Sequence, residues 1–442
     1  MAAGPRGRPG NADHDRQSDS SSEAGGAKME RRNLKQWGLA VLVCVVMAAL
    51  LAAVAAGCGG SATSTTAGSG ATAGGSSTTG VALSGEPVVI GAIVSTSGPA
   101  AALGEQESNT LKMMQDVINN SGGVLGRPVK VVVLDDKSDP NEAVTAANRL
   151  IDQEKAVALI AATSSPATLA VKQITAKKGL PQMAIAAAND ITDQAPFDWI
   201  WRTPAKDAVA VSCALTYVSQ KMKVKKIAIL HDENAFGSSG AAEIVKTAAT
   251  YGLEVVGNES YKTADTDLTA QLTKIRGDSP EAIIVWGTNP GPALAAKNMK
   301  QLGMTIPYVG SHGIANRTFI TLAGAAAEGV VLPAGKLLVP SSITDPKQKE
   351  VTDNFIKEYS YNYGQPPNTF AGHAFDAINL LTAAIQKAGS TDPAAIQAAL
   401  NSTQGFAGPD GIYNYSKTNH DGLVKADMIM VKIQGGTWVL AP

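Results

Sequence analysis

Apolar and polar positions repeat in a regular pattern from residue 88 onward. Two runs rich in β-branched residues, at 88–94 and 129–134, have the length and composition of buried strands. The segment between them has helical periodicity, with apolar positions on one face at Leu111, Met114, Val117 and Ile118. Gly122 and Gly123 are expected to end this helix. Apolar strands joined by a helix predict a parallel βαβ unit that is covered on both faces.

The same alternation continues along the chain and then recurs in a second half. Further strands are predicted at 157–160, 226–232, 253–256, 282–286 and 308–310, and residues 182–190 are predicted to form a short strand that passes into a loop. Helices are predicted at 139–154, 164–178, 239–250, 267–274, 294–302, 348–363 and 370–387, and a closing hairpin is predicted at 426–433 with 437–440. The pattern therefore favours an α/β fold built on parallel sheets.

The N-terminal residues have a different composition from the rest. Residues 1–28 are polar with few aromatic side chains, which predicts either disorder or an over-extended start. Met29 is followed by several basic residues and then by an apolar run that ends at Ala55-Ala56-Gly57-Cys58. This order is typical of a lipoprotein signal peptide, which would span residues 29–57. In this interpretation Cys58 receives a lipid. A simple transmembrane anchor is the alternative, because the run is near the ~20 residues needed to span a bilayer.

Residues 58–85 are almost entirely Gly, Ser, Thr and Ala, and we expect them to form a flexible tether.

The charge of the whole chain is nearly balanced, with 37 Lys and Arg against 38 Asp and Glu, so no basic excess points to nucleic acid. Beyond the tether the sequence contains a single cysteine, Cys213, which excludes a disulfide within that part and is typical of a small buried apolar residue.

Hydroxyl side chains follow two of the predicted strands. Ser164 and Ser165 open a helix, where unpaired N–H groups hold an anion, although helix capping explains them equally well. Ser97 lies in the loop after the first strand, at the sheet edge where ligands of α/β proteins bind. The small side chains at 186–188 either admit a ligand to the backbone or reflect tight packing. The acidic residues Asp135, Asp136 and Asp139 indicate either a metal site or, in our preferred interpretation, capping and strand-end roles.

An ordered set of short motifs extends from residue 97 to residue 367. It includes Ser97-Gly98-Pro99, Gly122-Gly123-Val124-Leu125-Gly126-Arg127-Pro128, Ser164-Ser165, Trp201-Arg202-Thr203 with Asp207, Phe236-Gly237 and Gly364-Gln365-Pro366-Pro367. In this order the motifs resemble the extracytoplasmic solute-binding proteins of leucine/isoleucine/valine-type ABC transporters. The resemblance implies two Rossmann-like lobes joined by a hinge of crossing strands, the type I periplasmic binding protein fold. It implies one lobe from 86–206 with 336–412 and another from 207–335 with 413–442.

The resemblance also implies a ligand site. Ser164 and Ser165, with backbone near Ala186 and Ala188, would bind a ligand carboxylate; Ala188 stands where amino-acid binders tend to have Thr. Phe236 would supply an aromatic wall, and the loops carrying Thr288, Asn289 and His312 would reach the other end of the ligand. His312 stands where amino-acid binders usually place a carboxylate for the α-ammonium group. The stretch from Phe370 to His373 resembles the aromatic-acid-binding branch of the family.

These features leave the ligand open between a branched-chain or related amino acid and an aromatic acid. The resemblance implies a lipid-anchored monomer on the outer face of the bacterial membrane that delivers its ligand to an ABC permease without a cofactor. An extracytoplasmic sensor acting through a separate membrane partner is the alternative. An enzyme is disfavoured because the sequence contains no G-x-S-x-G, H-E-x-x-H or G-x-x-x-x-G-K-[ST] motif.

Overall fold

The computed structural model describes residues 83–442. The predicted disordered start (1–28), the signal peptide (29–57) with Cys58, and nearly all of the tether (58–85) lie outside the described residues. No helix between residues 83 and 442 has both the length and the apolar character needed to cross a bilayer.

The first sheet is entirely parallel. It contains β1 (Val88–Val94), β2 (Val129–Asp135), β3 (Ala158–Ala161), β4 (Gln182–Ala184) and β5 (Ile200–Arg202), in the order β2-β1-β3-β4-β5. Alternate residues of β1 enter different cores: Val88, Ile90 and Ala92 pack in one cluster, while Ile93 packs with Leu159 in another. The βαβ unit predicted around residues 88–135 is thus confirmed, and its sheet is covered on both faces.

The second sheet repeats this arrangement and extends it. Its strands are β6 (Lys226–Asp232), β7 (Glu254–Tyr261), β8 (Ala282–Trp286), β9 (Tyr308–Gly310), β10 (Val331–Gly335), β13 (Met428–Gln434) and β14 (Thr437–Leu440). Read from β7, the parallel part has the order β7-β6-β8-β9-β10, which matches that of the first sheet. β13 pairs antiparallel with β10, and β14 pairs antiparallel with β13 as the predicted hairpin.

Helices connect and cover the strands. In chain order they are α1 (Ala101–Asn120), α2 (Pro140–Asp152), α3 (Ser165–Lys178), α4 (Asp190–Asp193), α5 (Asp207–Tyr217), α6 (Ala235–Thr247), α7 (Thr269–Gly277), α8 (Gly291–Gln301), α9 (Arg317–Ala323), α10 (Pro346–Tyr363), α11 (Thr369–Ala388) and α12 (Pro393–Leu400). A short antiparallel pair, β11 (Phe406–Ala407) and β12 (Ile412–Tyr413), follows α12.

The chain passes between the two sheets after β5, after β10 and after β12. After the second passage α10 and α11 pack on α1 of the first lobe. Two tyrosines of α10 secure that contact: the Tyr359 hydroxyl donates to Gln106 Oε1 at 2.7 Å, and the Tyr363 hydroxyl donates to the Asn109 carbonyl at 2.7 Å. Each lobe is therefore assembled from segments that are distant in the sequence.

Two differences from the sequence prediction have physical causes. α5 was not predicted, because its sequence is apolar almost throughout and lacks a polar face; it packs against α6 on one side and against β10 and β13 on another. α6 begins at Ala235 rather than near Ser239, because Asn234 Oδ1 accepts the N–H groups of Phe236 and Gly237, each at 3.0 Å. This cap places Phe236 in the first helical turn.

Candidate functional site

A cavity of about 520 Å³, including open solvent at its mouth, lies between the carboxyl ends of the two sheets. In each sheet the strand order reverses beside the first strand, at β1/β3 and at β6/β8. Loops diverge at such a switch point and leave a crevice. The first lobe contributes Ala100, Thr163 and Ala186 from the loops after β1, β3 and β4, and the second contributes Asn234, Thr288 and His312 from the loops after β6, β8 and β9.

Most of the predicted ligand-binding residues line this cavity. They are Ser164, Ser165, Ala186, Phe236, Thr288, His312, Phe370 and His373. Ala188 and Asn289 are buried next to it without lining it, and Ser97 is exposed outside it. The structure thus brings together side chains from three regions of the chain that the sequence pattern treated separately.

Ser164 and Ser165 form a polar end of the cavity at the start of α3. Ser164 caps the helix, its Oγ accepting the Ala167 N–H at 3.4 Å, and Ser165 Oγ accepts the Ala188 N–H at 3.2 Å. Each hydroxyl therefore acts as an acceptor, and within residues 83–442 neither donates its own hydrogen to a protein acceptor. Capping and ligand binding are compatible here, because a serine hydroxyl can accept from the backbone and donate to an anion together.

A buried guanidinium fixes the loop beside these serines. Arg202 is fully buried and donates to the carbonyls of Ala187 at 2.9 Å and Ala188 at 3.0 Å. In a trans peptide the carbonyl and the following N–H point in opposite directions. With the Ala187 carbonyl held by Arg202, the Ala188 N–H is directed to Ser165 Oγ. Arg202 is paired in turn with Asp421, Nε to Oδ1 at 3.1 Å.

Aromatic side chains enclose the end contributed by the second lobe. The His312 ring lies edge-on to Phe236, with ring centroids 5.3 Å apart, and edge-on to Trp286 at 5.7 Å. Gly313 allows this packing, because a Cβ atom there would lie 2.7 Å from Phe236 Cε1. His312 is 6% exposed, and neither of its ring nitrogens has a protein partner among the described residues.

The surroundings of His312 favour its neutral form. Burial lowers its pKa to about 3, and the neighbouring His373 acts in the same direction. Asp207 lies behind it with Oδ1 3.9 Å from His312 Nε2, which is too far for a hydrogen bond. That oxygen accepts the Trp286 indole N–H at 3.0 Å, and burial raises the pKa of Asp207 to about 7.

His373 is supported by a buried acidic pair. Its Nδ1 lies 2.5 Å from Asp410 Oδ2, and its ring lies edge-on to Phe370. Asp376 Oδ2 accepts the Asp410 N–H at 3.1 Å and the Tyr413 hydroxyl at 2.8 Å. Burial, and then the charge of Asp410, raise the pKa of Asp376 well above its ordinary value.

Thr163 belongs to the cavity wall, and its hydroxyl is already engaged on both sides. It accepts the Ser95 N–H at 2.9 Å and donates to Glu107 Oε2. Glu107 is fully buried, and this burial raises its pKa to about 8. Thr163 therefore fixes the shape of the wall and has no hydroxyl hydrogen left for a ligand.

The predicted residues outside the cavity have structural partners. Ser97 Oγ donates to Asp135 Oδ2 at 2.6 Å, and Asn289 Nδ2 donates to Asn316 Oδ1 at 3.3 Å. The other acidic residues of the predicted cluster act in the same way: Asp136 Oδ1 accepts the Ser95 hydroxyl, and Asp139 caps α2 by accepting the Asn141 N–H. The preferred interpretation of that cluster agrees with these contacts.

Several residues of the site were not predicted. Leu103, Ile185 and Pro204 line the cavity, and Glu107, Asp207 and Asp410 stand behind it. The apolar residues carry no sequence signal distinct from core packing. Asp207 carried a weak signal, since it precedes a run of mostly apolar and small residues, where a carboxyl group is unusual. Glu107 carried none, because its neighbours Glu105, Gln106 and Ser108 are polar.

Comparison with known proteins extends the similarity over most of the chain. Residues 87–437 match the family model described as periplasmic binding protein. The leucine-, isoleucine-, valine-, threonine-, and alanine-binding protein of Pseudomonas aeruginosa is 27% identical over 331 residues, which covers 75% of this chain and 86% of the relative.

Two solved structures show the same arrangement. An extracellular ligand-binding receptor from Rhodopseudomonas palustris HaA2 superposes with a TM-score of 0.76 at 26% identity, covering 81% of this chain and all of that one. The substrate-binding protein of a branched-chain amino acid transporter from Streptococcus pneumoniae, in complex with isoleucine, superposes with a TM-score of 0.72 at 25% identity, covering 80% of this chain and 98% of that one.

Proposed function

Because this chain belongs to the periplasmic binding protein family over residues 87–437, we propose that it is the substrate-binding component of an ABC importer. The similarity read from the sequence motifs is thereby confirmed at the level of the family. In the proposed role the chain captures a small solute that bears a carboxylate and delivers it to a membrane permease. We propose a monomer that works without a cofactor and without chemical change of its ligand.

The observation that carries this proposal is the polar end of the cavity at Ser164 and Ser165. Both hydroxyls face a helix N-terminus, and each has its hydrogen uncommitted. Hydroxyl donors and the partial positive charge of α3 favour an anion there. The relative from Pseudomonas aeruginosa and the structure from Streptococcus pneumoniae are both named for amino acids, whose carboxylate fits this chemistry.

Two lobes that close on the ligand complete the proposal. We assign 86–206 with 336–412 to the first lobe and 207–335 with 413–442 to the second. Support comes from the two sheets with the same strand order and from α10 and α11, which pack on α1. The passages after β5, β10 and β12 would form the hinge, as in proteins that close by rotation of two domains.

We further propose that Cys58 carries a lipid and that the tether over 58–85 holds the body at the outer face of the membrane. This proposal rests on the sequence alone, on the small residues before Cys58 and on the Gly-, Ser-, Thr- and Ala-rich segment after it. Incorporation of labelled palmitate into the wild-type chain, and not into a Cys58→Ala variant, is the expected result.

Titration calorimetry tests the carboxylate site. The purified full-length chain is titrated with leucine, isoleucine, phenylalanine, benzoate and 3-phenylpropanoate. At least one of these should bind, and Ser165→Ala should weaken that binding about tenfold or more, because a hydrogen bond to a charged group contributes about 1.5–3 kcal/mol. Ser121→Ala is the matched control, since Ser121 Oγ donates to the Val117 carbonyl at the opposite end of α1 from the cavity. Absence of binding by every acid would refute the proposed function.

A further inference from the structure

We propose that Lys172 is a positioning residue for ligand binding: its buried ammonium group fixes the chain that continues from the cavity loop, and loss of its proton weakens the binding of the ligand. The cavity loop is the segment 185–189, of which Ile185, Ala186 and Ala187 line the cavity. The inference rests on the proposed function, because it concerns how tightly the same cavity holds its solute.

The helix α3 carries a buried polar stripe. Its members recur at the spacing of one helix face and are Ser165, Thr168, Lys172 and Thr175, each at most 3% exposed. The threonines have neutral partners: Thr168 Oγ1 donates to the Ala162 carbonyl at 2.9 Å, and Thr175 Oγ1 donates to Gln182 Oε1 at 2.7 Å. Lys172 is the charged member of the stripe, and a fully buried lysine is unusual.

The ammonium group of Lys172 is held by main-chain carbonyls. Its Nζ donates to the Asp190 carbonyl at 3.0 Å and to the Gln194 carbonyl at 2.5 Å. Within residues 83–442, no carboxylate lies at ion-pair distance from it. Burying a charge without a countercharge is costly, and two charge-assisted hydrogen bonds to the main chain offset part of that cost.

The carbonyls that Lys172 holds lie directly after the cavity loop. Asp190 begins α4, and Gln194 follows the last residue of that helix. A second buried cation acts on the preceding residues, because Arg202 donates to the carbonyls of Ala187 and Ala188 and to that of Asn189 at 3.3 Å. The two cations therefore fix the main chain from the cavity wall to the end of α4.

Ser165 and Lys172 hold this stretch from the same side of α3. They are seven residues apart, about two helical turns, so they share one face of the helix. Ser165 Oγ accepts the Ala188 N–H at 3.2 Å, while Lys172 holds the carbonyls at the two ends of α4. Because Ser165 lines the cavity, a displacement of α4 from α3 would disturb the polar end at which we propose that the carboxylate binds.

The charge on Lys172 depends on pH within an accessible range. Burial lowers the pKa of Lys172 to about 8, the positive charge of Arg202 on β5 acts in the same direction, and Asp190 and Asp193 of α4 oppose it. The ammonium form therefore prevails at pH 6.5 and is lost as the pH rises through about 8.

The other charges of this region form ion pairs of their own. Asp193 Oδ1 lies 2.8 Å from Lys206 Nζ, and Asp421 pairs with Arg202 at 3.1 Å and with Lys206 at 2.8 Å. Each of these cations thus keeps a carboxylate partner, whereas Lys172 depends on carbonyls.

Deprotonation weakens the hold of Lys172 on α4 without removing it. A neutral amine keeps two N–H groups, but it loses the charge that makes such hydrogen bonds about twice as strong. The ligand should therefore bind about fivefold more weakly to the neutral form. Because linkage is reciprocal, a bound ligand should raise the pKa of Lys172 by about 0.7, the logarithm of that ratio.

Calorimetry on the full-length chain at pH 6.5 and pH 9.5 tests the inference. The wild-type and Lys172→Met are titrated with leucine, isoleucine, phenylalanine, benzoate and 3-phenylpropanoate. For each acid that binds, the wild-type should bind about tenfold more tightly than the variant at pH 6.5, and this ratio should be about fivefold smaller at pH 9.5. Titration of the ligand, and of other groups of the protein, cancels in the ratio.

Lys177→Met is the matched control, because Lys177 is exposed near the end of the same helix. Its affinity should equal that of the wild-type at both pH values.

A second measurement needs no variant. In the wild-type chain labelled with ¹³C-lysine, one lysine signal should titrate near pH 8 in nuclear magnetic resonance spectra. A bound acid should move the midpoint of this signal upward by about 0.7. A lysine signal responds to the ammonium group itself, so the titration of buried carboxyl groups does not imitate this result.

Each outcome has a defined meaning. If none of the five acids binds the wild-type at pH 6.5, the proposed function fails, and the inference fails with it. If an acid binds and the ratio of wild-type to Lys172→Met is the same at both pH values, Lys172 is only a structural residue; the inference is then overturned and the proposed function stands. If Lys172→Met does not fold, the lysine signal decides, and a midpoint that the ligand leaves unchanged overturns the inference.

Discussion

Glu107 stands behind the cavity wall, where its carboxyl group accepts the Thr163 hydroxyl. Burial raises its pKa to about 8 from 4.5, so the native state keeps a proton that the unfolded chain has already released. Here the native state binds more protons than the unfolded state, so the free energy of unfolding falls as the pH rises. The contribution of Glu107 is therefore fully present below pH 4.5 and falls as the pH rises to about 8.

Glu107→Gln should remove this contribution to the pH dependence, because the amide mimics the protonated carboxyl. Between pH 5 and pH 8 the free energy of unfolding of the variant should fall less steeply than that of the wild-type, by up to about 1.4 kcal/mol per pH unit. Urea unfolding at a series of pH values measures the difference. Glu105→Gln is the control, since Glu105 is exposed on the same helix. Equal slopes for the wild-type and Glu107→Gln would show that the buried carboxyl is ionised in the native state.

At the scale of single residues, the polar side chains that line the cavity were easier to predict from the sequence than the buried residues that hold its loops in place. Ser164, Ser165, His312 and His373 all line the cavity. The two serines follow a strand and stand out in an apolar pattern, whereas the roles of the two histidines were implied by the family resemblance. Arg202 and Asp421, which fix the loop at Ala187, are distant in sequence and meet only in the fold. Ser97 follows the first strand as a ligand residue would, yet its hydroxyl is turned to Asp135.

At the scale of elements, the start of α6 combines a helix cap with part of the cavity wall. Asn234 caps the helix and also lines the cavity, so it determines where Phe236 stands in the first turn. The strands were predicted well because apolar runs bounded by turns are local signals. The start of α6 was predicted less well, because several polar residues of the preceding loop could each have been the N-cap.

Asn234→Ala should lower the free energy of unfolding by about 1 kcal/mol, the usual loss for a helix cap, and weaken ligand binding about tenfold through displacement of Phe236. Chemical unfolding and calorimetry measure the two effects. Asp345→Ala is the matched control: Asp345 caps α10 by accepting the Gln348 N–H at 2.8 Å, and it does not line the cavity. This control should lose similar stability and keep its affinity. Equal affinity losses in both variants would mean that capping acts only through global stability.

At the scale of the whole molecule, the two lobes contact each other beside the cavity. The Asn189 N–H, from the loop after β4, donates to Ser239 Oγ on α6 at 2.9 Å, and Asn189 Nδ2 donates to Glu243 Oε2 at 3.3 Å. The helices α3 and α6 also contact across this boundary. These bonds exist only when the lobes are together, so they favour the closed arrangement.

Ser239→Ala should therefore weaken ligand binding about fivefold although Ser239 does not line the cavity, because one interlobe hydrogen bond contributes about 1 kcal/mol to closure. Calorimetry measures the affinity, and small-angle scattering of the ligand-free chain should show a larger radius of gyration than the wild-type. Ser238→Ala is the control, since the neighbouring Ser238 donates to the Glu233 carbonyl within its own lobe. Similar affinities for Ser239→Ala and the wild-type would show that this contact does not limit closure.

The pairing of Arg202 with Asp421 also constrains how the protein is made. The guanidinium that holds the loop at Ala187 and Ala188 comes from the middle of the chain, and its carboxylate partner lies close to the C-terminus. All five strands of the first sheet lie within residues 88–202, so the sheet and its buried cation precede the carboxylate partner in the chain by more than 200 residues. Chains that are released before residue 421 would carry an unneutralised charge at the position that shapes the ligand loop. The loop that lines the cavity at Ala187 therefore has its full electrostatic support only when the C-terminal segment has folded onto the first sheet.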